Sequence, residues 1–393
     1  MLKVIRLLTL GSLLTIVVAC GNMTSGEQYA VREALPTSAP LKVPYSAKAP
    51  EPIAGERYAE TTENPFVDVA KEAISTFSID ADGGSYANVR RFLQQERMLP
   101  PPAAVRTEEF INYFPLNYPF TNQEHPIALN GEISSCPWAE DHRLVRIGIQ
   151  GKPLATAEIP RSNFVFLVDV SGSMDSRGKL DLLKAGMHRF VDAMSPEDYL
   201  SIVTYASRTG VHLKSTSGSD KRAIRVSIDA LEAGGGTNGG AGIMLAYEQA
   251  DKNFIPKGNN RILLGTDGDF NVGLTNHDEL ISLIENKRKD GVFLTVLGVG
   301  SGNYNEATME QLANKGNGTY EYLDKLAQLE KVFFGERGKF FTVAKDVKVQ
   351  VEFNPKQVAQ YRLIGYENRM LETQDFTDDA KDAGEIGAGQ SIT

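Results

Sequence analysis

Asp169, Ser171 and Ser173 close the apolar run FVFLVDVSGSM, Thr237 sits in the glycine-rich turn GGGTNGG, and Asp267 follows the run RILLGT. Together they offer carboxylates and hydroxyls, with no histidine or cysteine. That is the oxygen donor set of a hard cation such as Mg²⁺, Mn²⁺ or Ca²⁺, and a poor one for zinc. A segment leaving a strand still extended turns alternate side chains to one side, which groups Asp169, Ser171 and Ser173. Gly172 between the serines lets the backbone bend around an ion. Asp269, two residues beyond Asp267, is a further acidic candidate behind the site.

Other chemistries fit these residues less well. An N-cap for the helix at KLDLLKAGM needs one such residue, not a remote threonine and aspartate as well. A phosphate cradle at GGGTNGG lacks the Gly-Lys-Ser/Thr ending. A serine nucleophile would want Gly-x-Ser-x-Gly, and His125, His142, His188, His212 and His277 show no triad context. An aspartyl-phosphate phosphatase would carry a second aspartate where Ser171 stands, and no lysine directly flanks Asp267.

For three such distant loops to meet, the elements before them must end at one edge. From Asn163 to about Gly338 the runs FVFLVDV, YLSIVTYA, RILLGTD and VFLTVLGVG are β-branched and continuously apolar, as in strands buried on both faces of a parallel sheet. Between them lie helical patterns. Leu183, Met187, Phe190, Val191 and Met194 share one face; Leu280, Leu283 and Ile284 share another. Gly291 and Gly316 stand where helix C-caps want glycine. VHLKST reads as a short antiparallel edge strand. The alternation predicts an α/β, doubly wound, mostly parallel sheet at 159–338, with ligands bound beyond the carboxyl ends of its strands.

The flanks have a different texture. Residues 67–158 carry a strand at STFSID, helices at SYANVRRFLQQ and RTEEFINYF, and strand-like PIALNGEIS and RLVRIGIQG. Residues 339–393 read as β, in FFTVAKDVKVQVEFN, QYRLIGYEN and the start of a strand at Ser391, so the chain is expected to be cut short. The acidic turn DADGGS at Asp80–Ser85 suggests a calcium loop, but the glutamate required at its twelfth position is Arg91. It reads as a plain Asp-rich turn.

Residues 1–19 read as an export signal: Lys3 and Arg6, then the apolar run Leu7–Val18, too short to span a membrane. The signal ends in Ala19-Cys20-Gly21, which resembles the bacterial lipobox, and so implies acylation of Cys20. A proline-rich tether without periodicity follows at 20–66. The expected location is the cell envelope, with Gly21 after the cysteine favouring the outer membrane. Cys136 is the other cysteine, so with Cys20 acylated no internal disulfide can form. A formal charge of −9 leaves no basic surface for nucleic acid.

Asp169-x-Ser171-x-Ser173, Thr237 and Asp267 resemble, residue for residue, the metal-ion-dependent adhesion site of the von Willebrand factor type A family. The resemblance covers about Asn163 to Gly338. It implies that Ser171 and Ser173 ligate the ion directly and that Thr237 does so directly or through water. Asp169 and Asp267 would stand behind them, and an acidic side chain of a protein partner would fill the remaining position. Mg²⁺ is the expected ion. The flanks resemble those of bacterial lipid-anchored members of the family, implying a β-rich domain into which the α/β domain is inserted. The expected role is non-enzymatic: a metal-dependent binding module, with a metal-stiffened scaffold as the alternative and a Mg²⁺-dependent phosphatase as a more distant one.

Overall fold

Every residue of β6 (Ser162–Asp169), β9 (Asn259–Thr266) and β10 (Val292–Val299) is buried, which is why these strands read as unbroken apolar runs rather than alternating ones. The computed structural model describes residues 7–10 and 55–393, apart from 61, 122–123, 156–157, 269–276, 303, 379–380 and 382. The central sheet runs β11 (Tyr320–Leu323), β10, β9, β6, β7 (Tyr199–Tyr205), β8 (Thr209–Ser217). Its strands are parallel except for β8, the antiparallel edge. α3 (Leu180–Ala193) and α4 (Lys221–Asp229) cover one face through Leu183, Met187, Phe190, Ile224 and Ile228. α5 (Gly239–Lys252), α6 (His277–Lys289) and α7 (Glu306–Lys315) cover the other through Ile243, Tyr247, Leu280, Ile284 and Leu312. The chain is therefore an α/β doubly wound fold.

Gly291 takes the left-handed conformation after α6, at φ +93°. Gly316 caps α7 differently from expectation. Its φ is −96°, and Asn317 carries the positive φ instead. Close approach demands the glycine there, since a Cβ would lie 2.5 Å from that of Leu294.

Three small sheets flank this domain, and each joins strands from both sides of it. β3 (Ile74–Ser78) pairs antiparallel with β12 (Thr342–Phe353); β14 (Met370–Leu371) and β15 (Gly384–Gly387) join that sheet. β5 (Arg143–Gly151) lies between β4 (Ile127–Ser135) and β16 (Ser391–Ile392). β2 (Val67–Asp68) pairs with β13 (Gln360–Tyr361). Ile79, Ile127, Ile149, Val347, Ile386 and Ile392 share one core. The α/β domain is inserted between the halves of this β-rich unit, whose α1 (Gly84–Arg91) packs on β11 of the insertion and whose α2 (Thr107–Asn112) packs on α1.

One expectation is corrected. QYRLIGYEN is a strand only at Gln360–Tyr361, because Gly365 and Tyr366 both take positive φ, +74° and +58°, and turn the chain. Within the leader, β1 (Leu7–Leu10) runs parallel beside β12. An extended apolar segment adds readily to a strand edge that offers unpaired N–H and C=O groups. Cys20 and the rest of the leader and most of the tether lie outside the described residues. Among the described residues no helix is long and apolar enough to cross a membrane.

Candidate metal centre

Strand order creates the site. From β6 the chain proceeds to β7 on one side, while β9 lies on the other, so a crevice opens beyond their carboxyl ends, where open α/β sheets bind ligands. Val168 stands opposite Gly265, which sets Asp169 beside Thr266 and Asp267 just beyond. The third loop is laced onto the first: the Gly234 amide donates to the Val170 carbonyl at 2.8 Å, and the Gly172 amide to the Gly235 carbonyl at 2.9 Å. Thr237 follows, half-buried, and Asn238 caps α5 through its side chain. The structure thus draws all three predicted loops to one edge. Asp269 lies outside the described residues.

The Ser171 and Ser173 hydroxyls are 3.0 Å apart, so alternation does turn both to one side. Asp169 is fully buried. One of its oxygens accepts the Ser171 amide at 2.9 Å; the other accepts the hydroxyls of Tyr205 and Thr266, each at 3.1 Å. Burial raises the Asp169 carboxyl above its usual range, and the charge of Asp267 adds to this, while the Ser171 amide and the Tyr205 hydroxyl pull it down. Two adjacent hydroxyls with two buried carboxylates behind them suit a hard cation. Ser171, Ser173 and Thr237 would hold it, oriented by Asp169 and Asp267. A bound divalent ion would supply Lewis acidity toward an oxygen ligand. No histidine stands against either serine among the described residues; His188, His212 and His277 pair instead with Asp229, Ser227 and Gln311.

Sequence reading missed three residues of this site. Tyr205 and Thr266 fix the Asp169 carboxylate from neighbouring strand ends. The third is a lysine: none flanks Asp267 in sequence, but the Lys179 ammonium donates to Asp267 Oδ2 at 2.9 Å across 88 residues. No spacing rule links the two, and only the sheet order brings them together.

The acidic turn is indeed a turn, with the Asp80 carboxylate accepting the Asp82 amide at 2.9 Å. Its burial was not foreseen. Asp80, Asp82 and Glu310 each place an oxygen within 4.8 Å of the others, at the seam between the flanks and α7. Arginines supply the counter-charge. Arg369 pairs with Asp80 at 2.8 Å and Asp82 at 3.7 Å. Arg106 grips Glu310 at 2.6 Å and pairs with Glu306 at 3.2 Å.

Burial pushes the Glu306 carboxyl up to about 7 against the pull of Arg106. A carboxyl raised on folding stabilises fully below its unfolded value, near 4.5, and loses that contribution as pH rises through 7. Glu306→Gln, which cannot ionise, should therefore gain about 1–3 kcal/mol on the wild type between pH 5 and 8. Urea unfolding at several pH values measures this, and a gap that stays constant across the range would contradict it.

Comparison with known families bears on this geometry. The model for the von Willebrand factor type A domain matches residues 163–334, spanning all three loops. The chain carries a von Willebrand factor type A domain at residues 163–334. A second model, described as von Willebrand factor, matches 52–146, and a third, described as the C-terminal part of uncharacterized protein YfbK, matches 338–393. YfbK of Escherichia coli (strain K12) is 48% identical over 345 residues, covering 86% of this chain and 60% of that protein. Human inter-alpha-trypsin inhibitor heavy chain H3 is 29% identical over 196 residues, 48% of this chain and 21% of that protein. The chain thus spans less than two thirds of either relative's length. Among solved structures, a von Willebrand factor type A protein from Catenulispora acidiphila is 18% identical with a TM-score of 0.41, covering 58% of this chain and 53% of that one. Proximal thread matrix protein 1 of mussel byssus, with a zinc-occupied MIDAS motif, is 26% identical with a TM-score of 0.37, covering 44% and 45%.

Proposed function

We propose that the chain is a metal-dependent protein-binding module of the bacterial envelope, tethered through an acylated Cys20. A divalent cation, Mg²⁺ in the first instance, is held at Ser171, Ser173 and Thr237. An acidic side chain of a partner completes its shell. The observation that carries this reading is the pair of adjacent serine hydroxyls beside the buried carboxylates of Asp169 and Asp267, with both Asp169 oxygens already engaged by donors. Few directly bound anions leave a cation electrophilic, so an incoming carboxylate is the ligand it favours.

The geometry weighs against catalysis even though Lys179 restores an Asp–Lys–Asp arrangement. Both oxygens of Asp169 are engaged by donors and its side chain is fully buried. A nucleophile must reach its substrate; this carboxylate holds a loop. Envelope placement rests on the leader sequence alone.

Capture of envelope proteins on the immobilised chain tests the reading. Bound protein should be released by EDTA, restored by Mg²⁺, and absent with Asp169→Ala. Capture indifferent to both would overturn it. Mg²⁺-dependent turnover of a phosphate ester, lost in Asp169→Asn, would favour the enzyme instead.

A further inference from the structure

We infer that Lys179 is a built-in charge of the metal centre, which holds the cation loosely and leaves the loaded site positive, so that the site selects an anionic ligand. This rests on the cation reading above. The lysine is placed with care. Its ammonium lies 2.9 Å from Asp267 Oδ2, and the pair is almost wholly buried, at 8% and 1% exposure. Its stem crosses Gly300, where φ is +77° and a Cβ would fall 2.4 Å from Lys179 Cε. Any larger residue at 300 would close that groove and carry backbone strain as well. The ammonium therefore reaches the second carboxylate along a path the fold keeps open.

Charge decides what this does. Among the described residues, Asp169 and Asp267 with Lys179 leave one net negative charge beside the serine and threonine hydroxyls. A divalent ion turns that into one net positive charge. Without the lysine the loaded site would be neutral, the ion held more tightly, and its pull on an anion weaker. At a buried site these charges are poorly screened. In the empty state the ammonium compensates the buried charge of Asp267.

Calorimetric titration of Mg²⁺ into the full chain, as wild type, Lys179→Met, Lys179→Gln and Lys179→Arg, tests this. Met should bind Mg²⁺ at least about tenfold more tightly than wild type, and Arg, which keeps the charge, should stay within about threefold of it. Gln, which keeps a polar head without charge, follows Met and serves if Met fails to fold. In EDTA the neutral variants should melt earlier than wild type, and Mg²⁺ should restore more of the difference. Unchanged or weaker Mg²⁺ binding in both neutral variants overturns the inference while leaving the metal centre intact. No Mg²⁺ binding by the wild type overturns the metal centre itself, and this inference with it.

Discussion

Arg106→Met should destabilise the protein by about 3–5 kcal/mol, a large share of a typical domain's stability. Arg106 is buried at 3% exposure and faces three carboxylates. Glu310 receives its fork, Glu306 lies at 3.2 Å and Glu109 at 3.5 Å. Arg106 comes from the N-terminal flank and Glu306 and Glu310 from α7, so the pair network ties the insertion to its host. Methionine fills a similar volume and removes the charge, leaving three buried carboxylates with one cation fewer. The cost is that of uncompensated charge, and part of it is recovered as those groups take up protons. Urea unfolding at pH 7.5 measures it. A loss below about 1 kcal/mol would show that the seam does not hold the two units together.

The second large effect is at the metal centre. Ser171→Ala with Ser173→Ala should weaken Mg²⁺ binding by about 100-fold or more, since both serine donors go, and even indirect partners of a metal are worth 10–100-fold. The change removes no charge, so the empty protein should keep its fold. Asp169 would still accept the Ser171 backbone amide, which persists as an alanine amide, and the Tyr205 and Thr266 hydroxyls. A ligand at 100 times its Kd stabilises by about 2.7 kcal/mol. Melting should show that gain in the wild type and at most about 0.4 kcal/mol in the double variant. Equal gains would place the ion elsewhere.

Much of this was legible because it is local. Continuous apolar runs announce buried parallel strands, and alternation past a strand end announces Ser171 and Ser173 on one side. The insertion was legible only through resemblance, because pairing of β3 with β12 joins segments more than 260 residues apart and no periodicity records it. Lys179 escaped for the same reason. The acidic turn was read correctly as a turn, but its burial depended on Arg369, which lies 289 residues from Asp80. QYRLIGYEN was overextended because its β-branched and aromatic content outweighed Gly365, whose positive φ bends the chain there.

The most direct measurement is an anomalous difference map from crystals grown with saturating Mn²⁺. The account predicts a peak about 2 Å from the hydroxyl oxygens of both Ser171 and Ser173, absent from crystals of the double alanine variant. No peak between those hydroxyls, in wild-type crystals that bind Mn²⁺ elsewhere or not at all, would contradict it.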